Sequence, residues 1–259
     1  MTEARPKSLR EFAIVPNFIE QLKLLAELAE PEEWGYKTTP TTYELPILYN
    51  YIQRTFVRIQ EQDRIEVSPD REHSCWNTGL VTNHQEPILT LFDRNLKSDQ
   101  PDQPPWHFRR FCRQGEFHLN YFGKLPDMAT YFDDPGCLVF DSRRELRVNV
   151  DHIIEDNKER FPGPFCTRSN FELQMLLNGA ISNAGERVRR NYKAAVPQFY
   201  QGRVQLLLPL CLEVPEKADL ALVVERFEGF YRASTCLTLD MAYNNAGQLA
   251  RPDRDWLRP

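Results

Sequence analysis

The chain has 259 residues, 41% of them hydrophobic and 27% charged, which excludes collagen-like and fully disordered chains and allows a substantial core. Thirty-two basic residues against 37 acidic ones give a formal net charge of −5. That excludes coating of nucleic acid through bulk charge, though not a local basic groove. No stretch approaches the ~20 consecutive apolar residues that span a bilayer, and the polar N-terminus lacks the apolar stretch of a signal peptide. The six cysteines are scattered without a CxxC pair, so they read as reduced, most of them in a core. The expectation is a soluble, cytoplasmic protein without membrane partners.

Residues 1–16 read as a loosely held lead-in. Asn17 then opens an amphipathic helix with Glu20 in the capping-box position, and Phe18, Leu22, Leu25 and Leu28 fall on one face. A second helix has Pro46 in its first turn and carries Leu48, Ile52, Phe56 and Ile59 at helical spacing. From Arg64 the apolar period becomes two, and segments at 65–67, 75–82 and 88–92 read as short strands. The loop 97–105, rich in Pro and Asp, is the clearest break; it reads as a surface loop, with a subdomain boundary as the alternative.

Residues 106–122, 137–140 and 145–150 read as strands, and 151–160 as a short helix. Ser169 and Glu172 form a capping box that opens the longest helix, 170–193. Strands return after Pro197, at 203–212, 218–226 and 231–240, the last two forming a hairpin, before a closing helix at 241–250. Strands are grouped rather than alternating with helices. The class is therefore α+β, a mixed, largely antiparallel sheet with about five helices in a single domain over 17–259.

The runs VQLLLPLCL, ADLALVVER and LTLDMAYNNA, with RPDRDWL after them, resemble the uncharacterised family catalogued as domain-of-unknown-function 3825. WNTGLVTNHQEPILTLF and DHIIEDNKERFP are similar to that family's amino-terminal and middle motifs, so the resemblance runs from about Trp34 to Leu257. It departs after the paired asparagines, where Gly247 and Gln248 stand instead of an expected arginine. The resemblance implies an association with RNA, because members are often joined to cold-shock or LOTUS-type modules. It supplies no catalytic residues, and the chain reads as the bare domain.

Five constellations carry candidate chemistry. Asp240 ends a strand where a helix begins, with Asn244 one turn later. That pair can hold a divalent cation, Mg or Mn, or orient a phosphate, whereas the plainer reading makes Asp240 an N-cap. His152 and Asp156 share a helix face, as a general base and its orienting carboxylate would, and Arg160 follows as a phosphate clamp. The alternative is a solvated charged face. Asn77, Thr78 and Gly79 mark either a bulge or a place where a ligand approaches the backbone.

The fourth lies in 106–113. Trp106 and Phe108 would stack bases while Arg109, Arg110 and Arg113 meet phosphates, unless this is a half-buried strand with solvated arginines. In strand geometry Trp106, Phe108 and Arg110 share one face, and His107, Arg109, Phe111 and Arg113 the other. The fifth is Asn183, Arg187 and Arg190, one helix face able to line a phosphate-binding cleft, although basic residues also suit a helix C-terminus. There is no GxGxxG, GxxxxGK[ST], HExxH or GxSxG.

The reading is an RNA-associated domain that binds single-stranded RNA or a nucleotide in a basic, aromatic-lined cleft. Processing of a phosphate linkage, by a metal-dependent phosphodiesterase or nuclease, would use His152, Asp156 and Asp240. A non-catalytic protein interaction domain and a hydrolase of a small nucleotide metabolite are the alternatives.

Overall fold

The structure is a computed structural model in which residues 6–249 are described. It divides into two compact units, one comprising the chain up to Tyr36 with Thr41–Thr130, the other Lys37–Pro40 with the chain from Tyr131 onward. Both combine helices with a five-stranded mixed sheet, so the class is α+β. Five of the seven helices among the described residues have eight residues or more. The strands form two sheets rather than one, each antiparallel except for one parallel edge pair. No helix among the described residues is long and apolar enough to cross a membrane.

The first unit contains α1 (Leu9–Phe12), β1 (Ala13–Ile14), α2 (Phe18–Leu28), α3 (Pro46–Glu61), β2 (Glu66–Val67), β3 (His73–Val81), β4 (Pro87–Arg94) and β5 (Trp106–Arg113). Its sheet order is β1-β5-β4-β3-β2. Residues 6–16 are not a loose lead-in. β1 pairs in parallel with β5, and the buried ring of Phe12 lies 5.2 Å from both Phe56 and Phe92, which anchors the segment in the core. Residues 1–5 lie outside the described residues.

α3 starts at Pro46, whose missing N–H costs nothing in a first turn, and buries Leu48, Ile52, Phe56 and Ile59 as their spacing requires. α2 buries Leu22 and Leu25 but lacks the expected capping box. Asn17 is left-handed (φ 49°), so its side chain makes no cap, and Glu20 pairs with Lys23 instead. On the far sheet face, Cys75, Leu89, Leu91 and Cys112 pack with Leu119 and Phe122. The strand expected over 106–122 ends at Arg113, because Glu116 closes a turn by accepting from the Arg113 amide, and a 3₁₀ turn at Phe117–Tyr121 follows. The 97–105 loop connects β4 to β5 inside this unit.

The second unit contains β6 (Glu145–Val148), α4 (Val150–Asn157), α5 (Gly163–Cys166), α6 (Asn170–Arg190), β7 (Val196–Tyr200), β8 (Arg203–Leu210), β9 (Leu220–Arg226), β10 (Phe230–Leu237) and α7 (Leu239–Ala246). Its sheet order is β6-β10-β9-β8-β7. Ile153 and Ile154 of α4 and Leu173, Leu177 and Ala184 of α6 pack on Leu206, Leu208, Leu222 and Val224 of the sheet. The Ser169–Glu172 capping box forms with both reciprocal bonds. The β9–β10 hairpin also forms, closed by Phe227 N–H to the Phe230 carbonyl at 2.9 Å. Residues 137–140 are not a strand; Asp134 caps a 3₁₀ turn at Pro135–Leu138 by accepting from the Gly136 amide.

Gly79 has a definite reason to be glycine. The β3–β4 register shifts between Asn77 and Val81, Gly79 takes φ +76°, and a Cβ there would lie 2.7 Å from the Tyr51 hydroxyl. Gly79→Ala is expected to destabilise the protein by about 2 kcal/mol. Gly179→Ala, in the exposed interior of α6 with nothing within 4 Å of the new Cβ, should stabilise by up to about 1 kcal/mol. Thermal melts of both variants against wild type check the opposite signs.

Candidate functional site

Asp240 sits in the first turn of α7, but it is not the N-cap. Thr238 is, its hydroxyl accepting from the Met241 amide at 3.3 Å. The Asp240 carboxylate, 1% exposed, instead accepts from the backbone amides of Lys37 (2.9 Å), Thr38 (2.8 Å) and Thr39 (2.8 Å) and from the Thr38 hydroxyl. Burial alone would raise its pKa; the bonds from Thr38, Lys37 and Thr39 outweigh that and hold it below the ordinary value. A carboxylate ringed by donors faces positive dipole ends where a cation would have to stand, so Asp240 is a clamp rather than a metal ligand. Asn244 is buried one turn on, its side-chain Nδ2 donating to the Asn245 side-chain Oδ1 at 3.4 Å. No group of three or more His, Cys, Asp and Glu with metal-holding geometry exists among the described residues.

His152 and Asp156 meet as their spacing predicts, Nδ1 to Oδ2 at 3.3 Å, but the imidazole and carboxylate are 46% and 57% exposed. Such a pair in solvent is weakly coupled. Arg160 does not clamp a phosphate there. Its Nη1 donates to Asn157 Oδ1 (3.2 Å), the Thr235 hydroxyl (3.2 Å) and the Cys236 carbonyl (2.7 Å), at the register shift in β10. β6 stops pairing with β10 at Ala233, which leaves that edge open beyond it, and Arg160 together with buried Asn157, which accepts from the Cys236 amide at 2.8 Å, satisfies the Cys236 backbone there.

Asn77, Thr78 and Gly79 make the bulge rather than a ligand surface. The buried Thr78 hydroxyl donates to the Ile88 carbonyl at 2.6 Å, and Asn77 Oδ1 accepts from the Gly79 amide at 2.9 Å. Along β5 the expected alternation fails, because a bulge places Arg109 out of register between Phe108 and Arg110. Phe108 and Phe111 therefore both turn inward, their rings 5.0 Å apart. Phe108 is 6% exposed and packs on Phe92, so it offers no face for a base. Trp106 is half-buried with its ring 6.2 Å from Phe12. Arg109 pairs with Asp93 (3.3 Å) and Arg110 with Glu116 (3.1 Å), leaving Arg113 exposed on this strand.

No motif points to His73, whose Nδ1 lies 2.9 Å from Asp93 Oδ1 and whose ring stacks on Tyr121 at 4.0 Å. With Arg109 on the same carboxylate they form a cross-strand cluster. Only the β3–β4 register, which sets His73 opposite Asp93, brings them together. The cysteines are free, and Cys75, Cys112 and Cys236 are buried. Burial pushes the Cys112 thiol up to about 11 and Cys236 to about 12, which keeps them from acting as nucleophiles.

The fifth constellation is brought together. Asn183, Arg187 and Arg190 line one cleft of about 380 Å³, walled on the other side by the end of β8 and the loop after it, Pro209 and Cys211 to Pro215. The loop is held in place by Asp219, whose carboxylate accepts from the Leu212 and Glu213 amides at 2.7 and 3.2 Å. Arg187 ties helix to loop by donating Nη2 to the Pro215 carbonyl. Arg190 Nε donates to the Glu186 carbonyl at 3.2 Å, so it also caps the helix end. Neither guanidinium is paired with a carboxylate among the described residues, and each keeps further N–H donors. Burial raises the Cys211 thiol pKa against the opposing pull of Arg187, so the cleft presents a thiol and not a thiolate.

A family model matches residues 25–256. The chain belongs to the family described as a domain of unknown function, DUF3825. The match passes through both units, so the DUF3825 domain comprises the two together. No curated protein and no solved structure matches the chain. The RPDRDWL motif that shared in the resemblance lies outside the described residues. Within this DUF3825 chain, the assignment of a site therefore rests on geometry.

Asp240→Ala leaves three amides and a hydroxyl without their acceptor, which should cost about 3 kcal/mol and lower Tm by roughly 6–12 °C. Because the folded pKa is depressed, the wild-type advantage is complete above the unfolded value of about 3.9 and is lost as pH falls through the folded one. Thermal melts should show a constant gap between wild type and variant from about pH 5 to 8 that narrows below about pH 4.

Proposed function

We propose that this chain is a non-catalytic module that binds the phosphate of a nucleotide or of single-stranded RNA in the cleft between α6 and the loop after β8. The observation that carries the reading is the convergence of Asn183, Arg187 and Arg190 on one cleft whose two guanidiniums lack carboxylate partners. Planar guanidiniums donate in a fork that matches phosphate oxygens, and a carboxamide adds a further donor. The cleft volume lies at the lower end of the range for small-ligand sites, ~300–1,000 Å³. The association of the family with cold-shock and LOTUS-type modules supports the nucleic-acid side of the reading.

The groups considered for catalysis do not support a phosphodiesterase. Asp240 is consumed by four donors, Arg160 by the edge of β10, and neither His152 nor Asp240 lines the cleft. Six free cysteines support a reducing, cytoplasmic setting. One observation favours the protein-interaction alternative: Phe171 and Met175, one turn apart on α6, are 71% and 62% exposed.

Fluorescence anisotropy of a labelled single-stranded RNA and of a labelled nucleotide, at low and moderate salt, tests the reading. Affinity is expected to fall with salt and to drop about tenfold in Arg190→Ala, the loss of one charge-assisted contact. The RNA should remain intact with or without magnesium. Cleavage that needs magnesium would make the chain a nuclease, and absence of binding at micromolar protein would leave the interaction domain.

A further inference from the structure

The phosphate reading leaves one cleft residue unexplained. Glu213 lines the same cleft as Arg187 and Arg190, from the opposite wall, and its side chain forms no ion pair or hydrogen bond among the described residues. A carboxylate inside an anion-binding cleft repels the ligand's phosphate unless it does something else for the ligand. The Glu213 side chain is exposed, but its backbone is anchored. The Asp219 carboxylate fixes its backbone by accepting from the Leu212 and Glu213 amides, and Arg187 pins the same loop at Pro215. The cleft therefore presents donors and positive charge from α6, and an exposed carboxylate on an anchored stretch of the loop.

A ligand that fits both walls carries an anion at one end and hydroxyl donors at the other. No aromatic side chain among the described residues lines this cleft, so recognition does not rest on base stacking. Its volume of about 380 Å³ suits one nucleotide and not a run of bases. Ala180, Ala184, Pro209 and Val214 supply apolar surface between the charged ends. A carboxylate accepts from two hydroxyls at once, and acidic side chains are used in this way to hold a ribose in dinucleotide sites.

We propose that the cleft takes a ribonucleoside monophosphate, its phosphate on Arg187 and Arg190, and that Glu213 accepts from the ribose 2′- and 3′-hydroxyls and so selects ribose over deoxyribose. This rests on the phosphate-binding reading of the same cleft. Repulsion between Glu213 and the phosphate fixes the orientation, because the reversed pose sets two anions together.

The test is calorimetric titration of the intact chain with each of the four common ribonucleoside 5′-monophosphates and its 2′-deoxy counterpart, for wild type, Glu213→Ala and Arg190→Ala. Wild type should favour the ribose form by about tenfold, the worth of one hydrogen bond to a charged group. In Glu213→Ala that preference should shrink to within about twofold while the deoxy form binds no more weakly than before. Arg190→Ala should weaken both forms equally. Bound nucleotide should also slow alkylation of Cys211, mapped by mass spectrometry. Equal binding of ribose and deoxyribose forms by wild type, or a preference that survives in Glu213→Ala, overturns the role of Glu213 and leaves phosphate binding standing. If none of these nucleotides binds, the ribonucleotide proposal falls, and the phosphate reading falls with it only if labelled single-stranded RNA also fails to bind.

Discussion

The second unit depends on one buried carboxylate. Asp240 gathers three successive backbone amides and a hydroxyl from residues 37–39, so a short segment, Lys37–Pro40, belongs to this unit although its chain neighbours belong to the other. Lys37, Thr38 and Thr39 are exposed bends without strand partners, so the carboxylate supplies the acceptor that no strand offers their amides. A single ionised acceptor satisfies several together, which makes the helix start and the distant segment interdependent. The strength of such charge-assisted bonds explains why the carboxyl is held ionised despite its burial.

The same economy recurs across the sheet of that unit. Asn157 and Arg160 occupy the Cys236 backbone groups on the β10 edge beyond the end of β6. On neighbouring strands the buried Gln198 donates to Gln205 at 2.7 Å, which donates to Glu225 at 2.6 Å. Polar side chains that look chemically suggestive in the sequence are thus absorbed by irregular backbone and by one another. In the α6 cleft Arg187 and Arg190 each give one hydrogen bond to a backbone carbonyl and pair with no carboxylate among the described residues. That unpaired charge, rather than any residue type alone, is the ground of the phosphate-binding proposal.

Local chemistry made much of the architecture legible. The Pro46 helix start, the Ser169–Glu172 box, the apolar spacing of α3 and the β9–β10 hairpin all follow from interactions within a few residues, and all form. Expectations failed where a contact distant in sequence decided the outcome. Phe12 is held by Phe56 and Phe92, so the lead-in is ordered. An out-of-register residue in β5 breaks its alternation and buries Phe108. The Asp240 clamp lies about 200 residues from its donors in the chain, as the pairs with Lys37 and Thr39 show, and no periodicity reports that.

By itself the sequence determined the fold class, most helix and strand positions, the family and one shared helix face, Asn183, Arg187 and Arg190. These depend on side-chain period, capping chemistry and conformational preference, which act over a turn or two. Tertiary structure alone decided what each polar group does: that Asp240 holds a backbone segment, that Arg160 binds the edge of β10, that His73 meets Asp93, and that Glu213 lines the same cleft as the arginines. The reason is physical. The role of a polar atom is set by which donors and acceptors remain unsatisfied around it, and that is known only when the whole chain has folded.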